Sequence, residues 1–486
     1  MKQKIRSVKT NVLLNIIRQG VNMITPLITV PYISRVLDKE YYGRVSFSRT
    51  FVSYFILLAG LGITNYAVRE GAKLREDKNK LGLFVSEIFS INFFMTIISY
   101  VLLFGIILVP RLNDYRALII IFSAEIFLNT IGVEWVCSVF EDFTYFTIRT
   151  VIVRIATIVA TFLFVKKAED YKIYAIIIVI SYLLSNVANF IHSCRFVKFK
   201  LTIQTNVRKH IVPILILFGN TVMTTIYISS DNTILGLLSN DSSVGLYTLA
   251  TQAYSIVKTV INAMTMVTLA RLSFYLGNGN REKYNSLLEK TLKGISFIII
   301  PTVAGLFCTA KEAIFLLGGM EYLEASGCLR ILSVALIFAV INSILSMEVL
   351  IPFGKEKEVF ICSLVSAIVN ILLNLFLIPL FDYNAAAFTT LIAELLVLIM
   401  EMVYCRRLII IRTKAKDIIQ LVVGMALVVG ICVTVDFLID ELLYKAIIKI
   451  IVSVLVYVTF MLLVKNEMML YCKEYLLSIL LRKRKK

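Results

Sequence analysis

The sequence predicts an all-α integral membrane protein with about 14 transmembrane helices. Hydrophobic residues make up 59% of its 486 residues, and the mean hydropathy is +0.85, which is far above the range of soluble domains. Apolar segments of membrane-spanning length fill almost the whole chain, and such segments form helices because a helix satisfies its own backbone polar groups in lipid. The number of basic residues also alternates from loop to loop, as in a multi-pass membrane protein.

Each predicted span is an apolar run of roughly 18 residues or more, the length that crosses the hydrocarbon core as a helix. The first span contains Pro26 and Pro31, which are expected to kink it because each removes a backbone donor. The predicted spans are residues 11–33, 45–67, 83–109, 117–138, 145–165, 173–193, 211–237, 244–269, 294–310, 329–351, 359–380, 384–404, 418–436 and 445–464.

The distribution of basic residues predicts the topology. If residue 1 is cytoplasmic, the inward loops and tails hold 33 Lys and Arg, whereas the outward loops, together with the outer ends of their helices, hold 12. This asymmetry follows the positive-inside rule and places both termini in the cytoplasm. The net charge of +18 is spread over loop ends rather than gathered on one face. It therefore favours anionic membrane lipid over nucleic acid as a partner.

Weak internal matches favour two pseudo-symmetric lobes of six helices each. The matches are Gly43 with Gly245 (offset 202), Asp170-Tyr171 with Asp382-Tyr383 (offset 212) and Glu134 with Glu348 (offset 214). An even number of spans per repeat preserves the orientation, so the two lobes are expected to flank a central cavity. The predicted organisation is an N-terminal lobe over 1–200, a C-terminal lobe over 201–405, and helices 13 and 14 with a basic tail over 406–486.

Two polar segments are expected to form short helices at the cytoplasmic face. Arg271–Lys293 contains a Gly-Asn-Gly-Asn turn, after which a short helix is predicted. The tail Lys465–Lys486 combines leucines and methionines with a final Arg-Lys-Arg-Lys-Lys run, a pattern typical of an interfacial amphipathic helix.

Five basic residues lie inside predicted spans, apart from those counted at the outer helix ends, and are the first candidates for function: Arg18, Arg49, Arg149, Arg154 and Lys258. A charge inside the membrane is costly, so it faces an aqueous cavity or carries its charge to the interface along a long side chain. Arg149 stands near the start of its helix and is expected to reach the interface. We assign Arg18, Arg49, Arg154 and Lys258 to a cationic cavity, since guanidinium groups bind phosphate oxygens through paired donors.

Eight acidic residues lie inside spans; apart from Asp436, at the end of the thirteenth span, they fall into two groups. Asp231, Glu125 and Glu394 lie deep, and each is expected to pair with a cavity cation or to bind a coupling ion. The others stand near predicted cytoplasmic helix ends and are expected to be solvated or helix-terminal; they are Glu87, Glu134, Glu348 and Glu401.

The motifs of an enzyme or a metal site are missing from the sequence. It has no Gly-rich phosphate loop, no HExxH and no GxSxG. Its eight cysteines are scattered without paired spacing, and two histidines cannot build a metal centre alone. We therefore expect neither catalysis nor a cofactor.

Several short motifs, in order along the whole chain, resemble those of Wzx-type oligosaccharide flippases. The motifs are Thr25-Pro26-x4-Pro31-Tyr32, Leu37-x5-Gly43, Glu134-Trp135-x4-Phe140-Glu141, Asp231-Asn232-x3-Gly236, Val244-Gly245-x-Tyr247-x2-Ala250 and Gly354-Lys355-Glu356-Lys357. These flippases belong to the superfamily that also holds MATE multidrug exporters and the lipid II flippase. The resemblance implies two six-helix lobes around a cavity, with cations on helices one, two and eight that meet a lipid diphosphate.

The function implied by the resemblance is movement of an undecaprenyl-diphosphate-linked oligosaccharide across a bacterial plasma membrane, for capsule, O-antigen or other surface polysaccharide. The implied partners are this lipid, the surrounding membrane lipids, and the polymerase and other proteins of the same biosynthesis. Three alternatives stay open: a MATE-type drug exporter with the same fold, a membrane polysaccharide polymerase or ligase, and a flippase-like scaffold without transport. The exporter usually carries coupling acids in its first lobe, whereas helix one here carries Arg18. The enzyme is expected to have a large outward loop, and none is visible in the sequence.

Overall fold

The computed structural model describes residues 8–202, 207–409 and 414–474, and the regular secondary structure in these ranges is helical. The all-α prediction is therefore confirmed. The α-helices are α1 (Val8–Gly60), α2 (Ile63–Leu74), α3 (Lys78–Ile106), α4 (Arg116–Ile131), α5 (Glu134–Val139), α6 (Phe143–Phe164), α7 (Tyr171–Ser193), α8 (Val207–Leu238), α9 (Asp241–Gly277), α10 (Arg281–Cys308), α11 (Ala310–Gly318), α12 (Ser326–Ile344), α13 (Glu356–Cys405), α14 (Ala415–Leu438) and α15 (Leu442–Leu463).

Eleven stretches of the described chain are long and apolar enough to cross a membrane. Glu356–Cys405 contains two of the predicted spans, and Ile17–Leu74 contains the second span and most of the first. The predicted span 211–237 falls on α8, some of whose side chains lie outside the description. Each predicted span thus coincides with helix, and the chain is a multi-pass membrane protein. The number of 14 crossings stays a prediction.

Non-helical residues divide the two longest helices. Asp38 breaks α1 with φ 57°, and Asp382 breaks α13 with φ 55°. The Asp38 carboxylate accepts hydrogen bonds from the backbone N–H groups of Glu40 (2.9 Å) and Tyr41 (3.1 Å), and so caps the helix that follows. In each case one non-helical residue turns the chain between two predicted spans, and helix continues on both sides of it. α1 itself continues as helix through both of its prolines.

Residues 1–248 form one compact unit. Within it, α1 packs on α3, α4 and α6, and α4 packs on α7. A buried aromatic core joins α2, α3 and α5, where the Phe84 and Trp135 rings meet edge to face at 6.2 Å. Asp77 caps α3, and the hydrogen bond from the Lys80 backbone N–H lowers the pKa of its carboxyl.

Residues 249–486 form a second compact unit. α12 and α13 pack closely, α10 contacts α12 and α14, and α14 pairs with α15. A smaller apolar core of Ala304, Val428, Cys432, Tyr457 and Met461 holds α14 and α15 against α10. The predicted lobe boundaries at 200 and 405 stay predictions.

Of the two polar segments, Arg271–Lys293 differs from the prediction in the length of its helix. The Gly277–Asn280 turn is present, but the helix after it is not short: α10 begins at Arg281 and continues to Cys308, because the apolar span follows without a break. Residues 467–474 of the tail are helical, and the rest of the predicted tail helix, 475–486, lies outside the described residues.

Candidate anion-binding site

Three elements of the first unit bring two arginines to one carboxylate. Arg18 Nη1 on α1 donates to Glu134 Oε1 at 3.0 Å, and Arg149 Nη2 on α6 lies 3.9 Å from Glu134 Oε2. Glu134 is the first residue of the short helix α5. Both guanidinium groups also stand over the Phe146 ring, at 5.7 and 5.6 Å from its centroid. The ring fixes the two forks side by side through cation–π contact.

The Arg149 side chain does not extend to the membrane interface, contrary to the prediction. Its side chain is only 11% exposed, and its guanidinium donates to Asn189 Oδ1 and to the Ser185 carbonyl on α7. Asn189 in turn donates to the Gly132 carbonyl, where α4 ends. These partners stand some 40 residues away in sequence. They bind Nη1 of the buried guanidinium, whereas its buried Nε has no hydrogen-bond partner among the described residues.

A second arginine–glutamate pair joins α1 to α4. Arg49 Nε lies 3.6 Å from Glu125 Oε1, and the Glu125 side chain is buried while that of Arg49 is half-exposed. Tyr182 on α7 lies within electrostatic range of both groups and donates its hydroxyl to Asn129 Oδ1 at 3.3 Å. Of the two roles expected for Glu125, the structure shows the pairing with a cation.

Arg154 on α6 lies between these two pairs. Its Nε donates to Asn22 Oδ1 at 3.2 Å, and within the described ranges no carboxylate lies within ion-pair distance of it. It interacts electrostatically with Arg49 and Arg149, and Arg149 does so with Arg18. We call Arg18, Arg49, Arg149 and Arg154 the arginine cluster. Among the described residues, the ion pairs of these four guanidinium groups involve two carboxylates, Glu134 and Glu125, which leaves a formal excess of two positive charges.

Lys258 lies in a polar site of the second unit. Its Nζ donates to Glu394 Oε1 at 3.3 Å and lies 5.5 Å from the centroid of the Tyr254 ring. The other Glu394 oxygen accepts from Asn342 Nδ2 at 2.8 Å. Lys258 is thus neutralised by a buried acid, and the structure places Glu394 in the pairing role as well. The third deep acid, Asp231, accepts a hydrogen bond from the Tyr247 hydroxyl.

Two of the acids expected at solvated helix ends are buried instead. Glu348 and Glu401 are each 1% exposed. Their carboxylates accept hydrogen bonds from the hydroxyls of Thr268 and Ser346, respectively. The packing of α9, α12 and α13 around them places them in the interior. Glu134 stays 44% exposed, and Glu87 pairs with His210 at 2.9 Å.

Lys449 is a buried cation that the sequence interpretation missed. It was counted with the outer helix ends, yet its side chain is 1% exposed. Its Nζ lies 2.6 Å from Glu312 on α11 and 2.9 Å from Asp436 on α14. Its place about two turns inside the apolar helix α15 was the available signal.

The start of α9 packs against α1 just after the Asp38 break. Gly43 and Gly245 each lack room for a Cβ, which would meet the backbone of Asp241 and of Lys39 respectively. The Ser46 and Thr248 hydroxyls lie 2.8 Å apart. Gly43 and Gly245, like Ser46 and Thr248, are separated by 202 residues, the offset of the first predicted repeat. We call this packing the α1–α9 contact.

Arg44 reinforces the α1–α9 contact. Its Nε donates to Asp241 Oδ2 at 2.7 Å, and the Tyr115 hydroxyl donates to the other oxygen of the same carboxylate. Glu40 holds Arg44 from the opposite side at 2.7 Å. The contact therefore combines a close backbone approach with a charged anchor.

Comparison with known proteins decides the family. Residues 8–273 match the family described as polysaccharide biosynthesis protein. The chain belongs to this family. A curated relative from Escherichia coli (strain K12), named "Putative O-antigen transporter", is 26% identical over 405 residues, which cover 82% of this chain and 97% of the relative. A relative of the same name from Shigella dysenteriae is 23% identical over 78% of this chain and 94% of its own length.

Solved structures of transporters share the fold of this polysaccharide biosynthesis protein. The lipid II flippase MurJ, in an inward closed conformation, superposes with a TM-score of 0.73 at 17% identity and covers 93% of this chain and 97% of its own. A multidrug resistance MATE family transporter of the MOP superfamily, inward-facing, gives 0.61 at 14% identity and covers 80% and 94%. The family and fold expected from the sequence motifs are thereby confirmed.

Proposed function

We propose that this polysaccharide biosynthesis protein is a flippase that moves an undecaprenyl-diphosphate-linked oligosaccharide from the cytoplasmic to the outer leaflet of a bacterial plasma membrane. The family match, the names of the curated relatives and the fold shared with a lipid II flippase support lipid-linked saccharide as the cargo class. A diphosphate bearing several sugars needs such a protein, because neither part crosses hydrocarbon unaided.

The observation that carries the proposal is the uncompensated charge of the arginine cluster. Within a membrane protein an unpaired cation is costly, and it persists where an anionic ligand or water meets it. Four guanidinium groups with two partner carboxylates leave Arg154 available for an anion. A diphosphate has the charge to fill this excess, and its oxygens match the paired N–H donors of guanidinium groups. A cationic drug would be repelled from the same site.

Transport then requires the arginine cluster to face the two leaflets in turn. With the N-terminus in the cytoplasm, the α1–α9 contact lies at the outer face, where it closes the path. Release to the outer leaflet requires this contact to separate. An inside-negative potential assists outward movement of the anion by roughly 2.3 kcal/mol per charge per 100 mV.

The orientation is tested with reporter fusions. Fusions after Lys80, Lys200 and Lys416 are expected in the cytoplasm and fusions near Asp114, Asp241 and Asp382 outside, because of the basic asymmetry. The most informative position is the Ser138–Thr144 loop, which carries no Lys or Arg and is assigned inward only by its place in the order of spans. An outside signal there overturns the assignment of the helices on either side.

Arg154 provides the direct test of cargo binding in cells. The Arg154→Ala variant is expected to lose most polymer export and to accumulate lipid-linked oligosaccharide on the inner leaflet, at normal protein abundance. Arg195→Ala is the matched control, since Arg195 is exposed in the turn after α7 and lies outside the cluster. Export at the wild-type level in Arg154→Ala, with Arg195→Ala also normal, contradicts the proposed role of the cluster.

A further inference from the structure

We propose that the Glu134 carboxylate is a resident anion that occupies the Arg18–Arg149 site when no cargo is bound and that the cargo diphosphate displaces it. The proposal rests on the proposed function and adds a residue that sets the strength of binding and the ease of release. The juxtaposition that carries it is one half-exposed carboxylate held between two guanidinium forks that share a single aromatic ring.

The geometry is that of an anion site already filled. One Glu134 oxygen is bonded to Arg18 at 3.0 Å, and the other lies 3.9 Å from Arg149. A phosphate group also presents oxygens to two forks, so a carboxylate and a phosphate compete for the same donors. Glu134 is able to move away because its side chain is 44% exposed. Arg149, in contrast, is anchored to α7 through Asn189 and Ser185.

The position of Glu134 in the chain favours exchange over a fixed structural pair. It opens a helix of six residues, Glu134–Val139, which follows the interruption of α4 at Gly132 and Val133. A side chain at the start of so short a helix changes its rotamer without breaking a long helix. Glu125, by contrast, sits within α4 with its side chain buried, which suits a permanent counter-charge for Arg49.

A resident anion solves a problem that a bare cation pair creates. Without Glu134 the two forks would bind a diphosphate so tightly that release becomes slow, whereas an internal carboxylate competes at the moment of release. It also screens the forks from single small anions, because displacing Glu134 demands a ligand that satisfies both guanidinium groups. Removal of the carboxylate is therefore expected to tighten binding and slow turnover together.

The experiment measures binding of inorganic pyrophosphate to the purified full-length protein in nanodiscs. Glu134→Gln is expected to bind pyrophosphate between about 1.4-fold and fivefold more tightly than wild type, the range of a partly exposed ion pair, and to export less polymer in cells. Glu141→Gln is the matched control, because Glu141 also pairs with an arginine, Arg75, at 3.0 Å and is 40% exposed. The control is expected to leave both quantities unchanged.

The outcomes separate this proposal from the one it rests on. If Arg154→Ala weakens pyrophosphate binding but Glu134→Gln leaves it unchanged or weaker, the resident-anion role is refuted and the cluster stands. If Arg154→Ala and Arg18→Ala both bind pyrophosphate as wild type does, the proposed cargo site itself fails. Should Glu134→Gln not fold, Glu134→Asp applies the same test, since the carboxylate is drawn back by one methylene. Tighter binding is expected there too, and unchanged binding refutes the role.

Discussion

A methyl group at Gly245 is expected to hold the α1–α9 contact open. A Cβ at this position would lie 2.9 Å from the Lys39 carbonyl carbon and 3.2 Å from its Cα, whereas carbon atoms pack at about 3.5–4.0 Å. The Lys39 carbonyl oxygen would lie nearer still, so the two backbones must separate by at least roughly 0.6–1 Å. Overpacking of this kind costs about 1–3 kcal/mol, which shifts the equilibrium between closed and open contact by about five- to 150-fold toward open.

The assay uses the hydroxyl pair of the same contact. Ser46→Cys with Thr248→Cys, in a background without the native cysteines, is expected to form a disulfide readily because the two hydroxyls lie 2.8 Å apart. Adding Gly245→Ala should slow this cross-linking several-fold or more. Gly277→Ala is the control, since a Cβ there meets nothing within 4 Å. Equal cross-linking rates in the Gly245→Ala and Gly277→Ala proteins would refute the argument that the backbones approach closely in the native protein.

The remaining predictions concern single cations. Lys258→Arg should retain most polymer export in cells, because arginine keeps the positive charge and the reach toward Glu394. Lys258→Ala keeps neither and should lose export. Equal export by the two variants would exclude a role for the charge. Arg18→Lys should lose much more export than Lys258→Arg, since lysine cannot present two parallel donors; equal behaviour would mean that the cations act through a diffuse field. Lys449→Met should lower the free energy of unfolding in detergent by about 3–5 kcal/mol, because the buried Glu312 carboxylate loses its cationic partner. The double change Lys449→Met with Glu312→Leu should recover much of it, and no recovery contradicts the pairing.

Much of the fold follows from hydropathy alone, because in lipid a long apolar run has few alternatives to a helix. Hydropathy separated the two spans within α1 and within α13, but it could not predict that helix resumes directly after a single residue with positive φ, Asp38 or Asp382. The six-residue α5 also escaped the hydropathy pattern because it continues the apolar run of α4. The family was predictable because short motifs keep their order along the whole chain.

The candidate site was predictable as a set of charges but not as a set of pairs. Their position inside predicted spans singled out Arg18, Arg49 and Arg154, since a charge at that depth is costly and marks a candidate functional site. It did not reveal that Arg149 belongs with them. The Arg149 guanidinium is held there by a hydrogen bond to Asn189 on α7, which is 40 residues away in the sequence. Lys449 was missed for the related reason that burial against neighbouring helices leaves no trace in a hydropathy profile. Pairing depends on which helices become neighbours, and a single sequence does not specify that.

The most direct test is translocation in purified form. Wild-type protein and Arg154→Ala are reconstituted into proteoliposomes with an undecaprenyl-diphosphate-linked oligosaccharide, and the fraction of lipid reaching the opposite leaflet is followed with a sugar-modifying enzyme added outside. The wild type is expected to move the lipid at a rate well above that of protein-free vesicles, and Arg154→Ala is expected to fall close to the protein-free rate. Equal rates for the wild type and Arg154→Ala, or no movement above background by the wild type, would contradict transport of this lipid through the arginine cluster.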